Sequence, residues 1–149
     1  METILFFRDF KHVLDKQGRV AIPAAWRNAD GSARFVLIPS SDFSLKLMPH
    51  SLFTEMIAEK VKKISLGDNA AARELAVLGS SSQECVCDKQ GRIQISQKLL
   101  DHAGITDQVA LVGSIAYAQI WNPDRWEKES ANTPNCYDIL DKLSLAKGE

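Results

Sequence analysis

The chain has little of what an enzyme or a membrane protein needs. No apolar run in its 149 residues approaches the ~18 residues that a bilayer crossing requires. The opening segment METILFFRDFK has neither a basic leader nor a small-residue cleavage site, so no secretory signal is expected. Cysteine is scarce: Cys85, Cys87 and Cys136 make an odd count, which fits a reduced, cytoplasmic chain better than a disulfide framework. Cys85 and Cys87 alternate onto one strand face and His12, His50 and His102 are scattered, so no metal site is expected. GxSxG, P-loop and GxGxxG stretches are all missing, and the acids Asp15 and Asp88 fall in turns rather than a pocket. The expectation is therefore a non-enzyme with no cofactor and no small-molecule substrate. Charge of one sign is also lacking: 18 Lys and Arg stand against 19 Asp and Glu, a net charge of -1. Any nucleic-acid reading must then rest on where the charges sit, not on their total. A hydrophobic share of 45% excludes wholesale disorder, and the length suits one ordinary domain or two small fused modules.

What the chain does have is an internal repeat. Asp15-Lys16-Gln17-Gly18-Arg19 recurs as Asp88-Lys89-Gln90-Gly91-Arg92, an offset of 73 residues. At the same offset Val13 meets Val86, Ile22 meets Ile95, Gly31 meets Gly104, Val36 meets Val109, Leu47 meets Ile120 and Phe53 meets Trp126. Matched apolar positions and matched glycines mean one supersecondary unit used twice.

Each unit reads as strand, turn, strand, helix, two strands, helix. Residues 10–14 and 84–87 alternate, DKQG follows as a turn in which Asp accepts from later amides and Gly supplies positive φ, and 19–22 and 92–95 alternate again. The pattern predicts a β-hairpin with a DKQG tip in each half. Ser96 then caps a helix over 97–103 that Gly104 ends, and Pro23 opens a weaker counterpart that Gly31 ends. Strands are predicted over 34–38, 43–48, 108–112 and 116–121. Pro49 opens an amphipathic helix with Leu52, Phe53, Met56, Ile57, Val61 and Ile64 on one side, and Asn122-Pro123 caps the matching helix around Trp126. Residues 69–78 are Ala-rich and helical, Gly79 to Ser82 reads as the joint between halves, and the polar tail from Ser130 carries a short apolar set, Ile139, Leu140, Leu143 and Leu145, that either docks as a helix or stays loose. The fold class is α+β, with units at 7–53 and 83–126, a helical connector at 54–79 and a tail at 130–149. One such unit cannot bury its own sheet, so the two must pair as an intramolecular pseudo-dimer that brings both DKQGR motifs to one rim.

These motifs resemble the MraZ family. The resemblance rests on the doubled DxxxR loop, on Leu99-Leu100-x-x-Ala103-Gly104-Ile105, on Val109-x-Leu111-Val112-Gly113, and on Ile120-Trp121 with Trp126. It covers about Phe7 to Trp126. It implies tandem AbrB-like swapped-hairpin units that form a pseudo-dimeric β-barrel flanked by helices. It also implies a DNA-binding transcriptional regulator of the bacterial division and cell-wall gene cluster, nucleoid-associated, with its own promoter among its targets. Ring-like homo-oligomers on short direct repeats of double-stranded DNA are part of that expectation.

The residue chemistry is compatible with this. Arg19 and Arg92 lie just past the turn tips, where a guanidinium can pair two phosphate oxygens or the O6/N7 edge of guanine. Lys16 and Lys89 supply point charge to phosphate, with Arg8 and Lys11 on the first strand as further candidate contacts. Asp15, Gly18, Asp88 and Gly91 are assigned to holding the loops. Residues 1–79 carry a net +2 and residues 80–149 a net -3, so the basic excess sits with the first loop. So few cations bind weakly in one chain, and several subunits on repeated sites would compensate through effective concentration. A ring-forming protein-interaction scaffold and an AbrB-type antitoxin without that operator remain open alternatives.

Overall fold

A computed structural model of the protein describes residues 3–143. The strands are β1 (Asp9–Val13), β2 (Arg19–Ala21), β3 (Arg34–Pro39), β4 (Leu45–Pro49), β5 (Gln83–Val86), β6 (Arg92–Gln94), β7 (Gln108–Gly113) and β8 (Ala118–Trp121). The helices are α1 (His50–Val61), α2 (Asn69–Ser81), α3 (Gln97–Ala103), α4 (Pro123–Ala131) and α5 (Cys136–Lys142). The chain is thus mixed α+β, with antiparallel strands throughout. None of the described helices is long and apolar enough to cross a membrane.

Both DKQG turns form, but the strands flanking each turn do not pair with one another, which corrects the two-hairpin expectation. β1 pairs with β7 of the other half, β5 pairs with β3, and β2 and β6 pair only with each other. The main sheet runs β1-β7-β8-β4-β3-β5, and β2-β6 is a separate ribbon. Exchanging each strand for its repeat partner returns the same order read from the other end, so the topology has an internal twofold. Its axis can be placed by register. Val20 faces Ile93 and Lys46 faces Gln119, and each of these pairs is 73 residues apart. The large sheet is open, with β1 and β5 at its edges, so the hydrogen bonding does not close into the expected barrel.

The offset is not constant. Val109 pairs with His12 and Phe35 pairs with Cys85, so the structural counterpart of Val109 is Phe35 and not Val36. One extra residue enters the second half before β7, and the turn after β7 is one residue shorter than the turn after β3. A gain and a loss that cancel within one hairpin are invisible to an alignment that looks only at its two ends.

Two further differences have local causes. Where Pro23 stands, no side chain caps the helix start, and only a single 3-10 turn forms over Ala24–Trp26. In the second half Ser96 Oγ accepts from the Leu99 N–H, the full helix α3 forms, and Gly104 ends it at φ 65°. The second difference is α2, which runs through Gly79 and Ser80 to Ser81 and shortens the expected joint to Ser82. Ser80 and Ser82 each donate a hydroxyl to a carbonyl of the preceding turn, which lets the polar run follow the helix.

The main core lies between the sheet and the ribbon. Alternate residues of the four central strands (Phe35, Leu37, Leu45, Leu47, Val109, Leu111, Ala118, Ile120) face Val20, Ile22, Ile93 and Ile95. Trp26 closes one side, tilted against Phe6 and edge-on to Phe10. On the opposite sheet face Ala110, Val112 and Trp121 pack with Trp126 of α4, and α1 covers β3 and β4 in the equivalent place. No residue of α1 or α2 is buried, and Met56, Val61 and Val77 are exposed on them. The tail forms α5 with Ile139, Leu140 and Leu143 exposed, while Leu145 lies outside the described residues.

The cysteines give a direct check on this packing. Cys85 is buried on β5, and desolvation pushes its thiol up to about 12, whereas Cys136 is exposed. The thiolate is the reactive form. With a disulfide-exchange reagent at about pH 8, Cys136 is expected to react at once and Cys85 only on unfolding; prompt modification of Cys85 would contradict the fold.

Candidate nucleic-acid interface

The two DKQGR turns are built alike. The Gly18 N–H donates to the Asp15 carbonyl (3.1 Å) and the Asp15 N–H to the Arg19 carbonyl (3.0 Å), with matching bonds at Asp88, Gly91 and Arg92. Asp15 Oδ1 accepts from the N–H groups of Gln17 (2.9 Å) and Arg19 (2.8 Å), and Asp88 Oδ1 accepts from Gln90 and Arg92, both at 2.9 Å. The second carboxylate oxygen meets the arginine Nε of its own turn, at 2.8 Å for Arg19 and 3.1 Å for Arg92. Each Asp therefore shapes the loop and holds the guanidinium of its own turn through Nε. Gly18 and Gly91 sit at φ 79° and 77°, where a side chain is strained.

The ribbon places these turns with respect to each other. The Ile22 N–H donates to the Gly91 carbonyl and the Ile95 N–H to the Gly18 carbonyl, both at 2.8 Å, so each turn is tied to the second strand of the other half. Val20 and Ile93 face the core. Period two then puts Arg19, Ala21, Arg92 and Gln94 on the outward face. Arg92 Nη1 lies 3.9 Å from Asp15 Oδ2, a link between the two motifs. Lys16 and Lys89 are exposed on the tips.

The other two expected contacts lie on and just before β1 rather than in the turns. Along β1, Phe10 and His12 face the ribbon side, with His12 Nδ1 donating to the Ala21 carbonyl at 2.8 Å. Lys11 points the other way, into the groove that Asp9, Ala110, Trp126 and Glu127 line beneath α4. Arg8 is exposed before β1 at φ 72°, its guanidinium 5.4 Å from the Phe10 ring centroid. Period two could have separated Lys11 from its neighbours, but it could not have said which parity faces the ribbon.

Two residues outside the repeated motif, Arg27 and Gln94, join the cluster. Arg27 packs against the second turn, where a Cβ on Gly91 would meet its guanidinium carbon at 2.7 Å, and its Nε donates to the Ile22 carbonyl at 3.1 Å. Gln94 donates its Nε2 to the Gln17 carbonyl at 2.9 Å. Their repeat partners are Leu100 and Ala21, so both mark places where the repeat fails.

Both loop carboxyls titrate below the ordinary carboxylate range, chiefly because the backbone N–H of Arg19 or Arg92 bonds the ionised form. A carboxyl depressed in the folded state contributes in full above its unfolded value of about 3.9 and loses that contribution as pH falls through the folded value. Turn geometry is thus expected to be constant from about pH 8 to about pH 5 and to loosen only below about pH 4. Side-chain carboxyl shifts followed by NMR check this; ordinary titration at both aspartates would remove the turns' carboxylate clamp.

The chain is similar in sequence to known proteins of one family. The family model described as "MraZ protein, putative antitoxin-like" matches residues 79–136, which span the second turn, β6 and β7 to the end of α4. Among curated relatives, Transcriptional regulator MraZ of Caldicellulosiruptor bescii is 34% identical over 129 residues, covering 83% of this chain and 85% of its own. The protein of the same name from Mycolicibacterium vanbaalenii is 35% identical over 123 residues, with 83% and 85% covered. That of Lachnoclostridium phytofermentans is 30% identical over 141 residues, with 94% and 93% covered. Identity at this level across both halves and the ribbon between them places the chain in the MraZ family.

Proposed function

We propose that the chain is a sequence-specific double-stranded DNA-binding transcriptional regulator and that the β2-β6 ribbon is its DNA-contacting element. One observation carries the reading: strand exchange between the halves sets both DKQGR turns on one ribbon, with Arg19 and Arg92 on its outward face. A two-stranded ribbon fits the width of the major groove, and two oriented guanidiniums suit phosphate or the guanine edge. Lys16 and Lys89 take flanking phosphates, Arg8 beside Phe10 is a further candidate, and Lys11, in the groove beneath α4, is the most remote of the six. The relatives' name, transcriptional regulator, supports the same class. The target is the promoter of its own gene within the division and cell-wall cluster, at short direct repeats. The two halves then correspond to tandem AbrB-like units that have exchanged strands, and the site of action is the nucleoid.

The assembly is a homo-oligomer, closed as a ring. α1 packs on β3 and β4 with no side chain fully buried, and Met56 and Val61 on it, Leu66 after it and Val77 on α2 are exposed. Head-to-tail contacts through such faces close if the rotation allows. Light scattering at micromolar concentration is expected to give a mass well above that of a dimer of 16.5 kDa chains; a monomer mass unchanged by operator DNA would overturn the ring. The binding reading itself is tested with the DNA upstream of the gene. Tight, steeply salt-dependent binding there with weak binding to random duplex supports it, and equal affinity for both would reduce it to a non-specific basic surface.

A further inference from the structure

The twofold that relates the halves is broken on the outward face of the ribbon at a single pair. Register sets Arg19 opposite Gln94 and Ala21 opposite Arg92. Exchanging the halves turns Arg19 into Arg92 and Ala21 into Gln94. The arginines are therefore matched, and the face differs from a symmetric one by one amide at one end only.

That amide is held in a defined orientation. Gln94 Nε2 donates to the carbonyl of Gln17, in the first DKQGR turn. A carbonyl accepts only from the amide nitrogen, so this bond decides which way the group faces. Neighbouring glutamines are differently engaged: Gln83 uses Nε2 on the Gln94 carbonyl and Oε1 on the Ser96 N–H, and Gln97 donates to Asp101. Gln94 keeps its second amide hydrogen and its Oε1, and the residue is exposed beside Lys16 in an open groove of about 460 Å³. At the opposite end Ala21 has no group to reach the Gln90 carbonyl or a base.

We propose that Gln94 is a specificity-determining residue that reads one adenine at one end of the DNA site and so gives the ribbon a direction on the duplex. An amide with one N–H and one oxygen presented together matches adenine N7 and N6, the pairing that glutamine makes in the major groove. The matched arginines, by contrast, read alike in either orientation. The inference rests on the ribbon being the DNA-contacting element.

The test is selection of binding sites from a randomised duplex library by the full chain, Gln94→Ala and Ala21→Gln, with Arg19→Ala/Arg92→Ala as the control for the ribbon. The wild type is expected to select a non-palindromic core with an adenine at one flank. Gln94→Ala is expected to lose preference at that base pair alone, with the affinity for the selected site down about tenfold. Ala21→Gln is expected to gain an adenine at the other flank and make the core symmetric. An unchanged flank in Gln94→Ala, or no gain in Ala21→Gln while the control loses binding, overturns the role of Gln94 and leaves the ribbon intact. A control that binds like the wild type overturns both.

Discussion

Replacing Arg19 and Arg92 together by alanine is expected to reduce operator affinity by about a hundredfold or more and to lower the salt slope by about two. The two turns carry Asp15, Lys16, Arg19, Asp88, Lys89 and Arg92, a net +2. Removing both guanidiniums takes that to zero and leaves two carboxylates facing phosphate without their partners. A bidentate guanidinium contact is worth ~1–3 kcal/mol in discrimination, so loss of two decides binding. Stability is expected to change by less than about 1 kcal/mol, because these are surface ion pairs and the Asp15 and Asp88 bonds to backbone N–H groups survive the substitution. Fluorescence anisotropy across a salt series measures the first effect and urea unfolding the second. Full affinity in the double variant, with the fold intact, would take the ribbon out of DNA binding.

Gly18→Ala is expected to be the most damaging small substitution at the ribbon, costing about 2–4 kcal/mol, and Gly91→Ala about 1–2. Both residues have φ close to 80°, where L side chains are strained, so the strain itself is shared. The surroundings differ. A Cβ on Gly18 would lie 2.8 Å from the Ile95 carbonyl oxygen, in backbone whose N–H is bonded to Gly18 itself. Relief there means opening the junction between the first turn and the second half. The same atom on Gly91 would meet Arg27, at 2.7 Å from its guanidinium carbon, and a long side chain can swing aside. It would surrender its bond to the Ile22 carbonyl and a long one to the Gly31 carbonyl. Urea midpoints of the two variants test the order. Equal losses would mean that the φ strain alone matters and that the junction at Ile95 is soft.

These two predictions show how unevenly the chain could be read. The turn chemistry is local: an Asp accepting from amides two and four residues on, and a glycine three residues on at positive φ, are legible in five letters. The repeat made the internal pairing legible too, since half of a sheet with one apolar face must find a second half. By contrast Arg27 and Gln94 are not legible in the repeat, because Leu100 and Ala21 stand at their equivalent positions. Lys11 is close to the first turn in sequence, but its side chain lies in the groove beneath α4, because β1 pairs with a strand of the other half.

The sequence by itself determined the composition of a globular domain, the doubled unit, the two Asp-built turns and the apolar alternation of most strands, all of which depend on residues within a few positions of each other. Only the tertiary structure decided which strands pair. Short alternating strands satisfy their backbone groups equally well with a neighbour in sequence or with an equivalent strand from the other half, and the turn is the same in both cases. Burial settles the choice. With β1 on β7 and β5 on β3, β2 and β6 are left to pair across the axis, and Val20 and Ile93 cover the core they could not reach as two separate hairpins. That exchange, and not any single residue, is what sets Arg19, Arg92 and Gln94 on one surface.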